Sequence, residues 1–184
     1  EYEAAGADAV SVLTEPKWFL GSDAYLKEIA EEATLPLLRK DFTVDLYQIY
    51  EAKTLGASAV LLICTILSDR QLRDFRETAE GLGLSALVEA HTAEEVRRAA
   101  ASGASLIGVN NRDLKTFQVD LSAAVSLRSL VPPEAVFVSE SGLRGPEDAA
   151  RAAAFGADAV LVGEAMMKAP DKAAFLASLR EAAR

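Results

Sequence analysis

Seven short runs of apolar residues recur along the chain, almost unbroken by polar side chains. Between the runs, apolar positions return every three or four residues, as in Leu26, Ile29 and Ala33, which is the spacing of a helix that buries one face. Near-continuous apolar runs are typical of parallel strands that helices cover on both faces. The pattern therefore predicts an α/β protein, with strands that begin near residues 8, 35, 58, 84, 105, 135 and 158.

Four segments repeat one pattern, in which a helix ends at a glycine and a strand follows. They are AAGADAVSVLTE (4–15), TLGASAVLLICT (54–65), ASGASLIGVNNR (101–112) and AFGADAVLVGEA (154–165). The strands begin 25 residues apart on average, and an eightfold barrel at this spacing needs roughly 200 residues. We therefore expect residues 1–184 to form one (β/α)8 TIM barrel domain; a doubly wound sheet is the alternative.

Only seven β/α units of such a barrel can be counted. The opening residues, EYEAAGADAV, have the pattern of the last turn of a helix that no strand precedes. The barrel interpretation therefore predicts that strand 1 and the N-terminal helix of the barrel are absent from this chain.

The composition limits the kinds of partner. A net charge of −9 argues against a nucleic-acid or anionic membrane surface, since either partner needs a basic footprint. No apolar run approaches the roughly 18 residues of a membrane span. The single cysteine, Cys64, is interpreted as a small core residue, and a reducing cytoplasm is the expected location. No set of His, Cys and carboxylates has the spacing of metal ligands, so no metal is expected. The scarcity of Asn and Gln is consistent with adaptation to heat.

Polar side chains follow the apolar runs at almost every strand end. In a parallel barrel, the carboxyl ends of the strands surround one cavity, and catalytic groups lie there. A single charge at a strand end often only meets solvent, but the same pattern at six ends favours a shared site. The polar residues at these ends include Thr14, Glu15, Arg39, Lys40, Asp41, Thr65, Glu89, His91, Asn110, Asn111, Arg112, Asp113, Ser139, Glu140, Ser141 and Glu164.

Three charged residues are candidates for acid–base chemistry. Lys40 could donate a proton if it packs near Glu89 and Glu140, and would otherwise be a solvated cation. The two glutamates each close an apolar run, so desolvation would raise their pKa values towards acid–base use. The alternative is a structural ion pair with Lys40 or Arg112. His91, beside a helix start, is interpreted as structural.

The last two strand ends suggest a phosphate site. In SESGLRGPE and VLVGEAMMK a glycine comes directly after the strand, and the second glycine, Gly163, opens a short helical segment. Loops after the last two strands of a barrel bind phosphate through backbone N–H groups and a helix N-terminus. The carboxylate of Glu164 would repel the anion, so only its N–H is a plausible contact.

The motifs together resemble one known family. SVLTEPKWFLGS, PLLRKDF, LVEAH, IGVNNRDL, VSESG and LVGEAMM are similar, in order and over the whole chain, to the strand-end motifs of indole-3-glycerol phosphate synthases. The resemblance implies a TIM barrel of the ribulose-phosphate-binding type. It also implies a lyase that closes the ring of 1-(2-carboxyphenylamino)-1-deoxyribulose 5-phosphate with loss of CO2 and water, without a cofactor.

The resemblance further implies roles for individual residues. Lys40 matches the catalytic lysine that acts as general acid on the ketone or hydroxyl of the substrate. Glu89 matches a second proton-transfer residue, used in dehydration. Asn110 and Glu140 match residues that orient the substrate and the lysines, and Ser141 matches a polar residue of the site.

Other matched positions bind the two ends of the substrate. Phe19 and Phe42 match the aromatic residues that hold the anthranilate ring, and Gly142, Gly163 and Glu164 match the phosphate-binding backbone. Positive charge for the phosphate and carboxylate of the substrate is expected from Arg39, Lys40 and Arg112.

The chain departs from the family pattern at its start. The Glu-x-Lys pair, the Ser-Pro loop of the first strand and the N-terminal helix of the family are not found, so the chain alone is expected to lack the second catalytic lysine. The alternatives are a sibling phosphate-binding isomerase, such as phosphoribosylanthranilate isomerase, and a non-catalytic barrel fragment. Glu89 at the fifth-strand position favours the lyase. The complete protein is expected to be a monomer.

Overall fold

Strands and helices alternate along the chain, from the first strand to the last. The computed structural model describes residues 1–112 and 122–184. The strands are β1 (Val10–Leu13), β2 (Leu37–Lys40), β3 (Ala59–Ile63), β4 (Ser85–Ala90), β5 (Leu106–Asn110), β6 (Val136–Glu140) and β7 (Ala159–Leu161). The helices are α1 (Asp23–Glu32), α2 (Leu46–Thr54), α3 (Asp69–Gly81), α4 (Ala93–Ala101), α5 (Ser122–Leu127), α6 (Pro146–Ala154), α7 (Glu164–Lys168) and α8 (Lys172–Ala182), with a 3-10 turn at Arg128–Leu130. Within the described ranges, no helix is both long and apolar enough to cross a membrane.

The seven strands form one parallel sheet in sequence order, from β1 to β7. Each strand begins within two residues of the position expected from the apolar runs. The four glycines of the repeat all have φ between 83° and 89°. Gly56, Gly103 and Gly156 follow a helix, where this left-handed conformation is expected, whereas Gly6 follows a turn. The α/β prediction is confirmed.

The sheet is curled rather than open. The Lys40 Nζ atom on β2 lies 3.5 Å from the Glu140 Oε2 atom on β6. In a flat sheet these strands, four positions apart, would be separated by about 19 Å, because neighbouring strands are about 4.8 Å apart. Side chains of β2 and β6 can meet only if the sheet bends round, as it does in a barrel.

Curling divides the buried side chains between an outer and an inner layer. The outer layer fills the space between the sheet and the helices and is the larger of the two. The inner layer lies inside the curve and includes Leu38, Leu61, Leu87 and Val138. Because successive side chains of a strand point to opposite faces, Lys40 shares the inner face of Leu38.

Arg39, one residue earlier, points to the opposite face from Lys40. Its guanidinium is buried, lies 2.8 Å from the Asp23 carboxylate and 2.9 Å from the Glu51 carboxylate, and donates to the Gln48 carbonyl. The expectation that Arg39 supplies positive charge to the substrate is therefore wrong. It joins the helix layer to the sheet instead.

The sheet has two outer edges, at β1 and β7. Among the described residues, β1 pairs only with β2, and β7 pairs only with β6. Apolar side chains are exposed at both edges, with Leu13 42% and Val160 38% exposed. In the described part of the molecule, the curled parallel sheet has an open side between β1 and β7.

Candidate active site

Four strand ends bring a lysine, two glutamates and an asparagine together inside the curve. The Lys40 Nζ atom of β2 lies 3.3 Å from Glu89 Oε2 of β4 and 3.5 Å from Glu140 Oε2 of β6. The Asn110 side chain of β5 donates from Nδ2 to Glu89 Oε1 at 3.2 Å. Both glutamates are buried, with 2% exposure for Glu89 and 1% for Glu140. The sequence-predicted cluster is therefore present in one place.

Glu140 holds a proton more tightly than an ordinary glutamate. Burial raises its pKa, the nearby charge of Glu89 raises it further, and Lys40 offsets only part of the increase, so the pKa reaches about 8. Its Oε1 atom has no hydrogen-bond partner among the described residues. Oε1 fills the position that a side chain on Gly108 would take, because a Cβ built there would lie only 1.9 Å away.

Lys40 is a charged acid at neutral pH. Desolvation acts to lower its pKa, but the charges of Glu140 and Glu89 outweigh that effect and raise the pKa above the usual value. The side chain is 18% exposed, so Nζ is held between the carboxylates and still borders the open cleft. A positioned ammonium group of this kind can protonate a carbonyl or hydroxyl oxygen.

Two aromatic rings meet at the carboxyl ends of β1 and β2. The ring centroids of Phe19 and Phe42 are 4.9 Å apart, and the ring planes are inclined by 35°. Phe42 also packs against the inner hydrophobic layer. The two rings offer an apolar contact surface just beyond the end of β2, where Lys40 lies.

The β6 and β7 ends form the basic side of the same cleft. Ser141 and Gly142 both have left-handed backbone conformations, with φ of 65° and 86°, and α7 begins directly after Gly163. A Cβ on Gly163 would meet no other atom within 4 Å, so the space before this helix is open. The cleft is lined by Lys40, Arg112, Ser141, Gly142, Arg144, Gly163 and Glu164 among others.

Cations balance the carboxylate of Glu164. Glu164 pairs with Lys168 at 2.6 Å, and that hydrogen bond lowers its pKa most strongly. The charges of Arg112 and Arg144 lower it further. The Glu164 carboxylate is thus directed along its own helix towards Lys168, as expected if only its backbone serves an anion.

The sequence pattern does not mark every residue near the cleft. It does not single out Arg144, a cation that lines the cleft from the loop after β6. Asn111 is predicted only as one of the polar residues at the strand ends, yet its Nδ2 donates to Ser139 Oγ and to the Ser141 carbonyl, which holds the β6 end in place. The last two residues of the motif IGVNNRDL, 113 and 114, lie outside the described residues.

His91 lies beside the cluster rather than in it. Its Nε2 atom is 3.5 Å from Glu89 Oε1, and its Nδ1 atom is 3.6 Å from Glu95 Oε2. The Glu95 carboxylate accepts the His91 backbone N–H and the Thr65 hydroxyl. His91 therefore packs between the start of α4 and the candidate catalytic glutamate.

Comparison with known proteins points to one family. The family model for indole-3-glycerol phosphate synthase matches residues 1–179. The chain is 54% identical over 183 residues to the indole-3-glycerol phosphate synthase of Ruminiclostridium cellulolyticum, covering 100% of this chain and 70% of that protein. It is 52% identical over 182 residues to the enzyme of the same name from Lacticaseibacillus casei, covering 99% and 70%.

Solved structures with low sequence identity share the fold. The 3-hexulose-6-phosphate synthase of Salmonella typhimurium superposes with a TM-score of 0.79 at 16% identity, covering 96% of this chain and 87% of that one. A mandelate oxidase variant superposes with a TM-score of 0.70 at 20% identity, covering 98% and 62%. At these identities the likeness is one of fold alone.

Proposed function

The chain belongs to the indole-3-glycerol phosphate synthase family, and we propose that Lys40 and Glu89 carry out the proton transfers of its reaction. The protein is a carboxy-lyase of tryptophan biosynthesis. The reaction converts 1-(2-carboxyphenylamino)-1-deoxyribulose 5-phosphate to indole-3-glycerol phosphate, CO2 and water. Family membership favours this lyase over the sibling isomerase and over a barrel without catalytic activity.

Lys40 acts first, as the general acid of ring closure. Its proton goes to the ketone oxygen while the ring carbon that bears the carboxylate bonds to the ketone carbon. The ketone oxygen becomes a hydroxyl, and loss of CO2 then restores the aromatic ring. The position of Nζ between Glu89 and Glu140 supports this role, because the negative charge on this pair of side chains favours the protonated amine.

Glu89 serves the dehydration that follows. The hydroxyl must leave as water, which needs an acid for the leaving oxygen and a base for the proton released from the indoline. The carboxyl group of Glu89 contacts both Lys40 and Asn110. It can act as the acid when protonated and as the base when ionised. Asn110 orients Glu89, and Glu140 holds Lys40 in place.

The two ends of the substrate are held by different surfaces. We assign the anthranilate ring to Phe19 and Phe42, whose rings already contact each other. We assign the phosphate to the backbone of Gly142, Gly163 and Glu164. The hydroxyl of Ser141 and the charges of Arg112 and Arg144 assist phosphate binding, since these groups border the cleft near α7.

The barrel of the working enzyme has, in this proposal, an eighth parallel strand between β1 and β7. The unpaired outer edges of these two strands support it, as does the greater length of the relatives, of which this chain covers 70%. That unit would add the Glu-x-Lys pair and Ser-Pro loop that the family resemblance implies. We further propose one barrel domain that works as a monomer in the cytoplasm, which suits its buried free thiol at Cys64.

The main support for this mechanism is the contact of Lys40 with both buried glutamates. Replacing Lys40 with methionine removes the proton donor and keeps most of the side-chain volume. We expect Lys40→Met to lower kcat for the formation of indole-3-glycerol phosphate by at least about 100-fold, the low end of the effect of positioned acid–base groups. Affinity for inorganic phosphate should change little, because the proposed phosphate contacts follow β5, β6 and β7 and do not include Lys40.

The matched control is Lys27→Met on the exposed face of α1. The control should retain the kcat of the unmodified protein, measured with the complete enzyme by fluorescence of the indole product. A Lys40→Met enzyme with near-native kcat would refute the assignment of Lys40 as the acid.

A further inference from the structure

We propose that Glu15 is a positioning residue for the reaction, which holds the β1–α1 loop so that Phe19 faces the aromatic ring of the substrate. This inference rests on the proposed function, because it takes Phe19 as part of the ring site. The loop runs from Leu13, at the end of β1, to Asp23, at the start of α1.

The loop is folded around the Glu15 side chain. One carboxylate oxygen accepts the N–H of Lys17 at 3.0 Å, and the other accepts the N–H groups of Trp18 and Phe19, the latter at 3.0 Å. The Glu15 carbonyl also accepts the N–H of Gly21 at 2.8 Å. One residue thus accepts four backbone N–H groups within its own loop.

A carboxylate is suited to this arrangement. Three successive N–H groups converge on one point and form a small anion-binding concavity. An ionised carboxylate only accepts hydrogen bonds and has two oxygens to receive them. Desolvation acts to raise the Glu15 pKa, but the hydrogen bonds from Trp18, Lys17 and Phe19 outweigh it and lower the pKa, so the side chain is charged at neutral pH.

The loop conformation is one that the chain would not adopt readily without this support. Leu20 has φ of 55°, in the left-handed region that side chains with a Cβ disfavour. At the next residue, Gly21, a Cβ would lie only 2.2 Å from the Leu13 carbonyl oxygen. Strained and crowded backbone of this kind persists when surrounding contacts hold it.

The same contacts determine where Phe19 lies. Its backbone N–H is bound by Glu15, and its ring contacts Phe42 at 4.9 Å between centroids. Phe42 is held in a similar way, because its N–H is bound by Asp41 Oδ1 at 2.8 Å. The other Asp41 oxygen accepts the Thr14 hydroxyl at 2.6 Å, which links the two loops.

Adjacent residues of one strand end therefore control both rings. Thr14 connects to the carboxylate that holds Phe42, and Glu15 is the carboxylate that holds Phe19. Loss of Glu15 should release Phe19 and leave Phe42 in place. The expected consequence is weaker binding of the aromatic end of the substrate, with little effect on the acid–base groups at β2, β4 and β6.

The test compares Glu15→Ala, Glu15→Gln and the control Glu28→Ala in the complete enzyme. Glu28 is exposed on α1, away from the loop contacts. Each hydrogen bond to the charged Glu15 side chain stabilises the loop. Losing all three side-chain hydrogen bonds together should raise KM by at least about tenfold. We expect that rise in Glu15→Ala, a smaller rise in Glu15→Gln, which keeps one acceptor oxygen, and none in Glu28→Ala. In the two Glu15 variants kcat should change less than KM, and in Glu28→Ala neither should change.

A second measurement separates positioning from a general structural effect. If Glu15 acts through Phe19, Glu15→Ala should raise KM very little in a protein that already carries Phe19→Leu. Amide hydrogen exchange of Lys17, Trp18 and Phe19 should be faster in Glu15→Ala than in Glu28→Ala, while core amides are unchanged. The exchange measurement needs no activity, so it reports on the loop by itself.

The outcomes distinguish this inference from the proposed function. A Glu15→Ala enzyme with native KM, beside an impaired Phe19→Leu enzyme, would overturn the role of Glu15 alone. Full additivity of the two substitutions would overturn it as well. A Phe19→Leu enzyme with native KM would instead refute the aromatic ring site, and with it the reason for holding the loop.

Discussion

Glu140 has the most strongly perturbed carboxyl group of the site. It is fully buried, one of its oxygens lacks a hydrogen-bond partner among the described residues, and its neighbours include a second glutamate. Two close carboxylates in a buried site cannot both ionise without cost, and one proton between them relieves the repulsion. The pKa of about 8 for Glu140 follows from burial and from the charge of Glu89.

This shift predicts how stability depends on pH. Folding raises the Glu140 pKa from 4.5 to about 8, so between these values the native state binds a proton that the unfolded state has released. Within that window the free energy of unfolding should fall as pH rises, by up to about 1.4 kcal/mol per pH unit from this group. Above pH 8 its contribution should level off.

The measurement is urea unfolding between pH 5.5 and 8.5. Glu140→Gln should show a flatter dependence of the unfolding free energy on pH than the unmodified protein. Glu147→Gln, on the exposed face of α6, is the control and should keep the original dependence. Parallel pH profiles for the unmodified protein and Glu140→Gln would mean that Glu140 is ionised throughout.

At the scale of elements, β5 has a glycine at the position that the Glu140 side chain of β6 covers. Gly108 on β5 pairs with Val138, two residues before Glu140. The glutamate carboxyl group lies over Gly108, and Leu87 of β4 closes the same space. A glycine inside a strand usually weakens it, but here it admits the Glu140 side chain to the interior.

We expect Gly108→Ala to displace the Glu140 carboxyl group, because the new Cβ would lie 1.9 Å from Oε1. Overpacking of this kind typically costs about 1–3 kcal/mol of stability. Lys40 would lose one of its two carboxylate neighbours, so kcat should fall by at least about tenfold. Thermal unfolding and indole formation measure the two effects.

Gly81→Ala is the matched control. Gly81 lies at the end of α3, and a Cβ there would meet no atom within 4 Å. Replacing glycine with alanine at a compatible position stabilises by about 0.4–1 kcal/mol, so this variant should be at least as stable as the parent and fully active. Native activity in Gly108→Ala would show that Glu140 does not need its observed position.

At the scale of the whole molecule, the open side of the sheet is the dominant feature. The N–H groups of Val10 and Thr14 bond to β2, so the N–H groups of Ser11 and Leu13 point outwards. At the other edge the Asp158 N–H bonds to β6, so those of Ala159 and Leu161 point outwards. Unpaired strand edges promote association with other chains.

Amide hydrogen exchange at these edges tests the proposed eighth strand. In an enzyme that contains such a strand, the outward amides of Ser11, Leu13, Ala159 and Leu161 should exchange as slowly as amides inside the sheet. In residues 1–184 alone they should exchange quickly, or the protein should associate through them. A monomer of residues 1–184 with slow exchange at all four amides and full activity would refute the eighth-strand proposal.

Much of this molecule follows from local patterns in the sequence. The order and bounds of the strands could be predicted because apolar runs and helix-ending glycines are local signals with a regular spacing. Lys40, Glu89, Asn110 and Glu140 could be predicted as neighbours because parallel strands end on the same side of a sheet. Their contacts of 3.2–3.5 Å then follow from the curling of the sheet.

Other features depend on contacts between residues far apart in the chain, which only the tertiary structure decides. Successive side chains of β2 point to opposite faces of the sheet, so Arg39 and Lys40 must lie on different faces. The packing of α1 and α2 against Arg39 decides that Lys40 is the one inside the curve of the sheet. Gly108 resembles any other glycine of the chain until Glu140 is placed over it. Glu15 has no helical or strand periodicity to mark it, since its role comes from the irregular path of a loop. Such roles depend on which atoms meet in three dimensions, and the spacing of residues in the sequence does not specify that.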